Sequence, residues 1–392
     1  MANVNNMDFV QMSTVLNDLY QQTTGQKAIA ITNESEFVSV AQKVLKQGYD
    51  PVISAISQVL SRTIFSIRPY SAKFKGLEVD NQKYGAITRK LVSIDKPFVD
   101  DDRLPLTEGS SVDQQEIRKP EVLQLNYYGA NMYEDFITQF KDQLDTAFSS
   151  SAEFGNFWSM VITNINDKIE QSKEVTARMT INNLMAGVIA GANTNQVVHL
   201  LTEFNTATGL QYTKADAMSP MNIRGFGQWC YQFLQKKVDM LAERTSLYHT
   251  NLTGKTIMRH TPSKDLKVYG LSDFMNMFDC LVKSNTYDNS FLALSDVERV
   301  NFWQAATSPD SIKITPTYLQ ADGTLKTDAA AVEADNIVAV LFDREAAGMT
   351  LVNEWSAAAP FNARGGYTNF FWHFTMKYWN DFTENAMVIK LD

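Results

Sequence analysis

Gly254-Lys-Thr256 is the stretch of this 392-residue chain that most resembles a phosphate cradle. A P-loop needs a glycine five residues before its Gly-Lys pair, so that successive backbone N–H groups can curl round the phosphates. That position holds His249, and the preceding residues read as helix where the motif requires a strand, so the stretch reads as a turn entering a strand. Gly225-Phe-Gly227 begins a dinucleotide fingerprint, but Cys230 occupies the third glycine position and no strand precedes it. The four histidines, His199, His249, His260 and His373, form no HExxH pair and no other zinc spacing. His373 falls in an aromatic run and reads as a hydrogen-bonded core residue. Cys230 and Cys280 make no CxxC and read as buried thiols. A Gly-x-Ser-x-Gly elbow is absent from the sequence. The run Asp100-Asp-Asp102 lacks EF-hand spacing and reads as a solvated loop. No catalytic, cofactor-binding or metal-ligating residue is therefore assigned, and neither enzymatic activity nor a cofactor is expected.

The charge balance narrows the partners. Lys and Arg number 35 against 44 Asp and Glu, a formal charge of -9, which argues against coating nucleic acid by phosphate neutralisation. Hydrophobic residues at 44% and charged residues at 20% are those of a globular chain, with a length suited to roughly two or three domains. The sequence has no apolar run of the length needed to span a bilayer, and Met1–Asp8 lacks the basic and apolar regions of a signal peptide. A soluble, intracellularly made protein with no membrane partner is expected.

The elements that would position any functional surface follow from the hydrophobic pattern. The first thirty or so residues, rich in Asn, Gln and Thr, read as a loosely held arm. Asn33 with Glu36 reads as a helix start, followed by Phe37, Val40, Val44 and Leu45 at helical spacing and Gly48 as the stop. Pro51 opens a second short helix through Val52, Ile53, Ile56, Val59 and Leu60. Thr63–Arg68 and Ala86–Ile94 read as strands, Pro97 ends the second of them, and Val122–Tyr128 returns, giving a long hairpin with an acidic tip. Such a ribbon has little core of its own and needs outside support. Phe136, Ile137, Phe140 and Leu144 suit a short helix. Steps of three and four from Phe154 to Ile189 describe a very long helix, unbroken or broken once near Asp167–Glu174. Val197–Leu201 reads as a strand and 220–248 as a helical block. Lys255–Arg259 reads as a strand, 272–281 as a helix capped by Ser272, and Ile312–Ile314 as a strand. Asp335–Phe342 is the clearest buried strand, and Asn385–Leu391 an alternating one. The aromatics from Tyr367 to Phe382 lack interleaved Lys and Arg and read as core or subunit contact rather than a base-stacking platform.

A polar arm, a long hairpin, a spine helix, a mixed inserted region and a closing strand together resemble the layout of tailed-phage major capsid proteins. Ala41–Pro51, Val59–Tyr70, Asn362–Asn369 and Trp379–Asn385 look like capsid proteins of small short-tailed (podovirus-type) phages of Gram-positive hosts. The resemblance implies an α+β tailed-phage major capsid fold. Its division would be 1–61 as N-terminal arm with two short helices, 62–130 as extended hairpin loop and 131–203 as peripheral domain with the spine helix. The axial domain would be 204–333, with 334–392 returning to the peripheral domain. It implies self-assembly into pentamers and hexamers of an icosahedral shell enclosing double-stranded DNA, in a virion assembled in the host cytoplasm. The hairpin loop would lie over an adjacent subunit. Some relatives are cross-linked between Lys and Asn; no such pair can be matched here, so no cross-link is expected. About thirty residues precede the first expected helix, too few for a fused scaffold, so a separate scaffolding protein and a portal are the expected partners. An encapsulin-like nanocompartment and a soluble oligomeric enzyme with a dispersed active site are the alternatives.

Deleting Asp100–Glu116, the hairpin tip, is expected to leave the far-UV circular dichroism of the chain unchanged while impairing assembly in sedimentation. An unfolded deletion variant would contradict this reading of the tip.

Overall fold

The computed structural model describes residues 9–47, 51, 52, 55, 74–79, 88–94, 98, 105–115, 117, 119, 121–127, 130–283, 297–327 and 330–392. One helix, Ser151–Ala190, runs through the molecule for 40 residues, about 60 Å at the α-helical rise. Ser150 caps it, accepting the Glu153 N–H at 3.2 Å, and the Gly191 N–H closes it on the Gly187 carbonyl at 2.9 Å. The helix does not break at the polar stretch Asp167–Glu174. Ile165, Ile169, Lys173 and Ala177 stay buried at helical spacing there, and Arg178 pairs with Glu174 one turn away at 2.7 Å.

The two halves of this helix serve two cores. Phe154, Ile165 and Ile169 enter the smaller one, whereas Ala177, Ile181, Leu184, Met185 and Val188 enter the larger. The strands, in chain order, are β1 (Thr88–Ile94), β2 (Glu121–Tyr127), β3 (Asn131–Phe140), β4 (Val197–His199), β5 (Leu266–Leu271), β6 (Val297–Val300), β7 (Ile312–Ile314), β8 (Thr317–Leu319), β9 (Leu325–Thr327), β10 (Val332–Ala334), β11 (Ile337–Asp343), β12 (Ala347–Ala358), β13 (Tyr367–Asn380) and β14 (Ala386–Lys390). The larger core lies around a five-stranded sheet in the order β4-β14-β11-β5-β6 and the helix Ile223–Ala242. The apolar run of β11 takes the middle of that sheet and is buried at every position, as a strand covered on both faces must be. Gly187 lets Phe382 lie against the spine helix, since a Cβ at that position would stand 2.5 Å from the ring.

The smaller core closes the helices Phe9–Thr24 and Glu34–Leu45 over one face of the antiparallel sheet β12-β13-β3. Residues 9–24 are therefore not a loose arm. Met12, Leu16, Leu19 and Tyr20 fall on one helical face and are buried. The polar composition that hid this helix is absorbed locally: Thr14 and Thr23 hydroxyls donate back to the Val10 and Leu19 carbonyls, and Asn17 brackets the backbone of Ile29. Asn33 caps the second helix as expected, accepting the Glu36 N–H at 2.9 Å, while Glu36 reaches back to the Thr32 N–H at 2.7 Å. Glu34 accepts the N–H and hydroxyl of Ser151 at the start of the spine helix. Those bonds, the hydroxyl's first, hold its carboxyl below the usual range.

Three further expectations are corrected. Phe136, Ile137 and Phe140 lie in β3, which pairs residue for residue with β13 from Asn131↔Met376 to Phe140↔Tyr367; the helix begins only at Lys141. Leu200 and Leu201 start the helix Leu200–Thr208 instead of extending β4. Lys255–Arg259 forms isolated bridges, not a strand. Side chains satisfy the Ile257 backbone there, with its N–H donating to Asn251 Oδ1 at 3.1 Å and its carbonyl bonded by His249 Nε2 at 2.8 Å. Gly254 adopts φ +75° in the turn before it. The helix after Leu271 starts at Ser272, whose hydroxyl bonds Asn301 Oδ1 at 2.7 Å. Gly48, Ile53, Ile56, Val59, Leu60, Thr63–Arg68, Pro97 and Asp100–Asp102 lie outside the described residues.

His249 is 1% exposed, and burial above all holds its imidazole below the ordinary value near 6.5. The unfolded chain takes up the proton first, so this contribution to stability is present above about pH 6.5 and is lost as pH falls through the depressed folded value. Urea unfolding is expected to show lower stability at pH 5 than at pH 7.5, with the difference reduced in His249→Gln. An equal acid loss in both proteins would contradict it.

Candidate assembly interface

The sheet β12-β13-β3 has two unlike faces. Along β13, Thr368, Phe370, Trp372, Phe374 and Met376 are buried and alternate with half-buried Tyr367, Asn369, Phe371, His373 and Thr375. The first set meets the helices of the smaller core. The second set faces outward, and the register places Phe136 beside Phe371, Phe140 beside Tyr367, and Trp355 beside His373. The rings pair across the strands, Phe136–Phe371 with centroids 5.9 Å apart and Trp355–His373 stacked at 4.0 Å. Met132 is 84% exposed, Phe136 54% and Trp355 48%. His373 thus belongs to an outer aromatic face and not to the core, with Glu134 3.7 Å from its Nδ1. An exposed face this rich in rings, with the Thr138–Asn369 pair between two of its aromatic rungs, marks a contact surface. Sequence reasoning found the β13 aromatics but missed Met132, Phe136 and Phe140. They recur every fourth residue, which fits a helix face as well as one face of a strand.

The hairpin supplies a second surface. β1 and β2 pair antiparallel from Thr88↔Tyr127 to Ile94↔Glu121. Val92 and Ile94 are buried, whereas Leu91 on the other face of β1 and Val122 on the other face of β2 are exposed. The body supports this ribbon, contrary to expectation, through the buried Val92 and Ile94 and through charge. Lys90 Nζ lies 2.9 Å from Asp381, 2.5 Å from Glu384 and 2.9 Å from Glu345. Arg259 adds a second cation 3.1 Å from Glu384. Burial works against the Lys90 charge, but Asp381 and Glu384 outweigh it and hold the ammonium above its ordinary value. Burial raises the Glu384 carboxyl, partly offset by Lys90 and Arg259. The lead-in is fastened too: Phe74 and Leu77 are buried, the Val79 N–H donates to the Met349 carbonyl, and Glu78 meets Lys173 at 3.1 Å.

Among the described residues, no group of three or more His, Cys, Asp or Glu could hold a metal ion. Nor is any helix long and apolar enough to cross a membrane. Cys230 is buried, which pushes its thiol up.

No family model and no curated protein matches the chain. Solved structures do. A chain in the capsid structure of Staphylococcus phage Andhra superposes with TM-score 0.55 at 10% identity, covering 84% of this chain and 86% of that one. A chain in the structure of the head fiber and inner core protein gp22 of native bacteriophage P68 superposes with TM-score 0.53 at 11% identity, covering 83% and 86%. The likeness is one of fold: the α+β phage-capsid architecture implied by the sequence resemblance is the architecture found.

Lys90→Met is expected to destabilise the protein by about 3–5 kcal/mol, the range for leaving one side of a buried ion pair uncompensated. It should also open the hairpin to limited proteolysis. Asp381→Asn in the same background should recover part of that loss, giving a non-zero coupling in a double-mutant cycle. Additive effects would show that the pair is not what holds the ribbon down.

Proposed function

We propose that this chain is a non-enzymatic, shell-forming structural subunit, the major capsid protein of a tailed bacteriophage. Copies assemble into pentamers and hexamers of an icosahedral virion capsid around double-stranded DNA. The observation that carries the reading is the outer face of β12-β13-β3, where Met132, Phe136, Phe140 and Trp355 are exposed together. A chain of this fold exposing that face gains burial from further copies of itself. Residues 131–203 and 334–392 act as the peripheral domain, 204–333 as the axial domain and 62–130 as the loop reaching a neighbour. A separate scaffolding protein and a portal complete assembly in the host cytoplasm, and the DNA is held without sequence preference. The short-tailed type belongs to this proposal and follows from the sequence resemblance.

Phe136→Asp replaces an exposed ring, so its unfolding free energy should stay within about 1 kcal/mol of the parent. The parent alone is expected to form large assemblies of irregular size, uniform shells needing the scaffolding protein, by sedimentation and negative-stain microscopy, and the variant to remain small. A monodisperse parent monomer, or a variant assembling like the parent, would overturn the proposal.

A further inference from the structure

The aromatic outer face of β12-β13-β3 holds an acid and an imidazole side by side. Glu134 Oε2 lies 3.7 Å from His373 Nδ1, with 54% of the Glu134 side chain and 28% of the His373 side chain exposed. Trp355 stacks on the imidazole from β12 at 4.0 Å, while Glu134 approaches from β3 on the other side of β13. Imidazole is the side chain whose charge ordinarily changes between about pH 5 and 8.

Among the described residues, no other charge faces His373 on that side of the sheet. β12 presents Asn353, Trp355 and Ala357 there, in register with Thr375, His373 and Phe371 of β13. Lys377, further along β13, is 5% exposed. Asp135 and Glu354 belong to the opposite face, where Lys168 meets the first at 2.8 Å and Lys173 offsets the burial of the second.

With the imidazole neutral, the face around it carries the Glu134 charge alone; with the imidazole protonated, the two charges cancel. A second copy covering this face takes a lone carboxylate out of water in the first case and a pair in the second. Burying a charge is costly unless it is paired. The long-range term has the same sign. Copies of formal charge -9 repel one another, and each proton taken up lowers that repulsion.

We infer that His373 and Glu134 form a proton-operated device on the assembly face, mildly acidic pH strengthening the contact between copies and neutral pH weakening it. The inference rests on the shell reading, since it assigns a regulation to the contact surface of that reading.

The test is sedimentation of the full-length chain at pH 7.5 and pH 6.0 and equal ionic strength, with circular dichroism to follow the fold. The concentration needed for assembly is expected to be about fivefold lower at pH 6.0, the low end of typical coupling between linked equilibria. His373→Gln should abolish that difference. Glu134→Gln should reverse it, because protonation then leaves a lone cation on the face. Linkage is reciprocal, so assembly of the parent in weakly buffered solution at pH 6.5 should take up protons, and assembly of His373→Gln should not. An equal pH response in the parent and His373→Gln, no response in the parent, or an acid gain retained in Glu134→Gln would each overturn the device and leave the shell reading standing. A parent that assembles at neither pH would overturn the shell reading and the device with it.

Discussion

Continuity of the helix Ser151–Ala190 is the constraint on which the rest of the structure depends. Ile169 belongs to one core and Ala177 to the other, separated by about two helical turns. The junction between them is polar where a kink would be cheapest. Lys173, itself buried, holds Glu170 at 3.5 Å and Glu78 at 3.1 Å. Burial raises the Glu354 carboxyl on β12, and Lys173 offsets part of that rise. The seam thus joins the helix to the hairpin's lead-in and sits close to the aromatic sheet. A chain with two separate cores and a flexible join would let its two ends move independently. Here hydrogen bonds every residue along one helix fix their relation.

The two extensions are held by different physics. The N-terminal helix is fastened by burial of Met12, Leu16, Leu19 and Tyr20, at about 1.5–3 kcal/mol for each large apolar side chain fully buried. The hairpin buries little and is located by one ammonium among three carboxylates. Desolvating such a cluster offsets much of its Coulombic gain, so it fixes where the ribbon lies more than it adds to stability. Leu91 and Val122 are left outward on the far side of the ribbon.

What could be read from the sequence followed how one-sided each segment's surroundings are. The spine helix, β11, β14 and the β1–β2 pairing were legible because their burial repeats with a period of 3.6 or 2, or runs unbroken. β3 was misread because Phe136, Ile137 and Phe140 satisfy helical spacing, while the outward apolar residues of the strand blur its alternation. That ambiguity is itself informative: a strand apolar on both faces within a three-stranded sheet has a second surface to cover. The N-terminal helix was hidden by Asn and Thr side chains whose bonds fold back onto nearby backbone. The Lys90 cluster was not legible at all, since its members are separated by up to 294 positions and share no local pattern.

The charge and the surfaces act against each other in a way that suits assembly from repeated units. Copies carrying -9 each repel at a distance, but salt screens that repulsion beyond about 8 Å, and apolar contact acts only on close approach. The aromatic sheet face and the outer side of the hairpin are different surfaces on one chain. Contact between unlike surfaces runs head to tail, and it closes into a ring or extends into a lattice according to the rotation between neighbours. A self-complementary patch would stop at a dimer. Under the shell reading, the repulsion keeps each such contact modest, so that a misplaced copy can leave, while a correctly seated one is retained by several contacts at once.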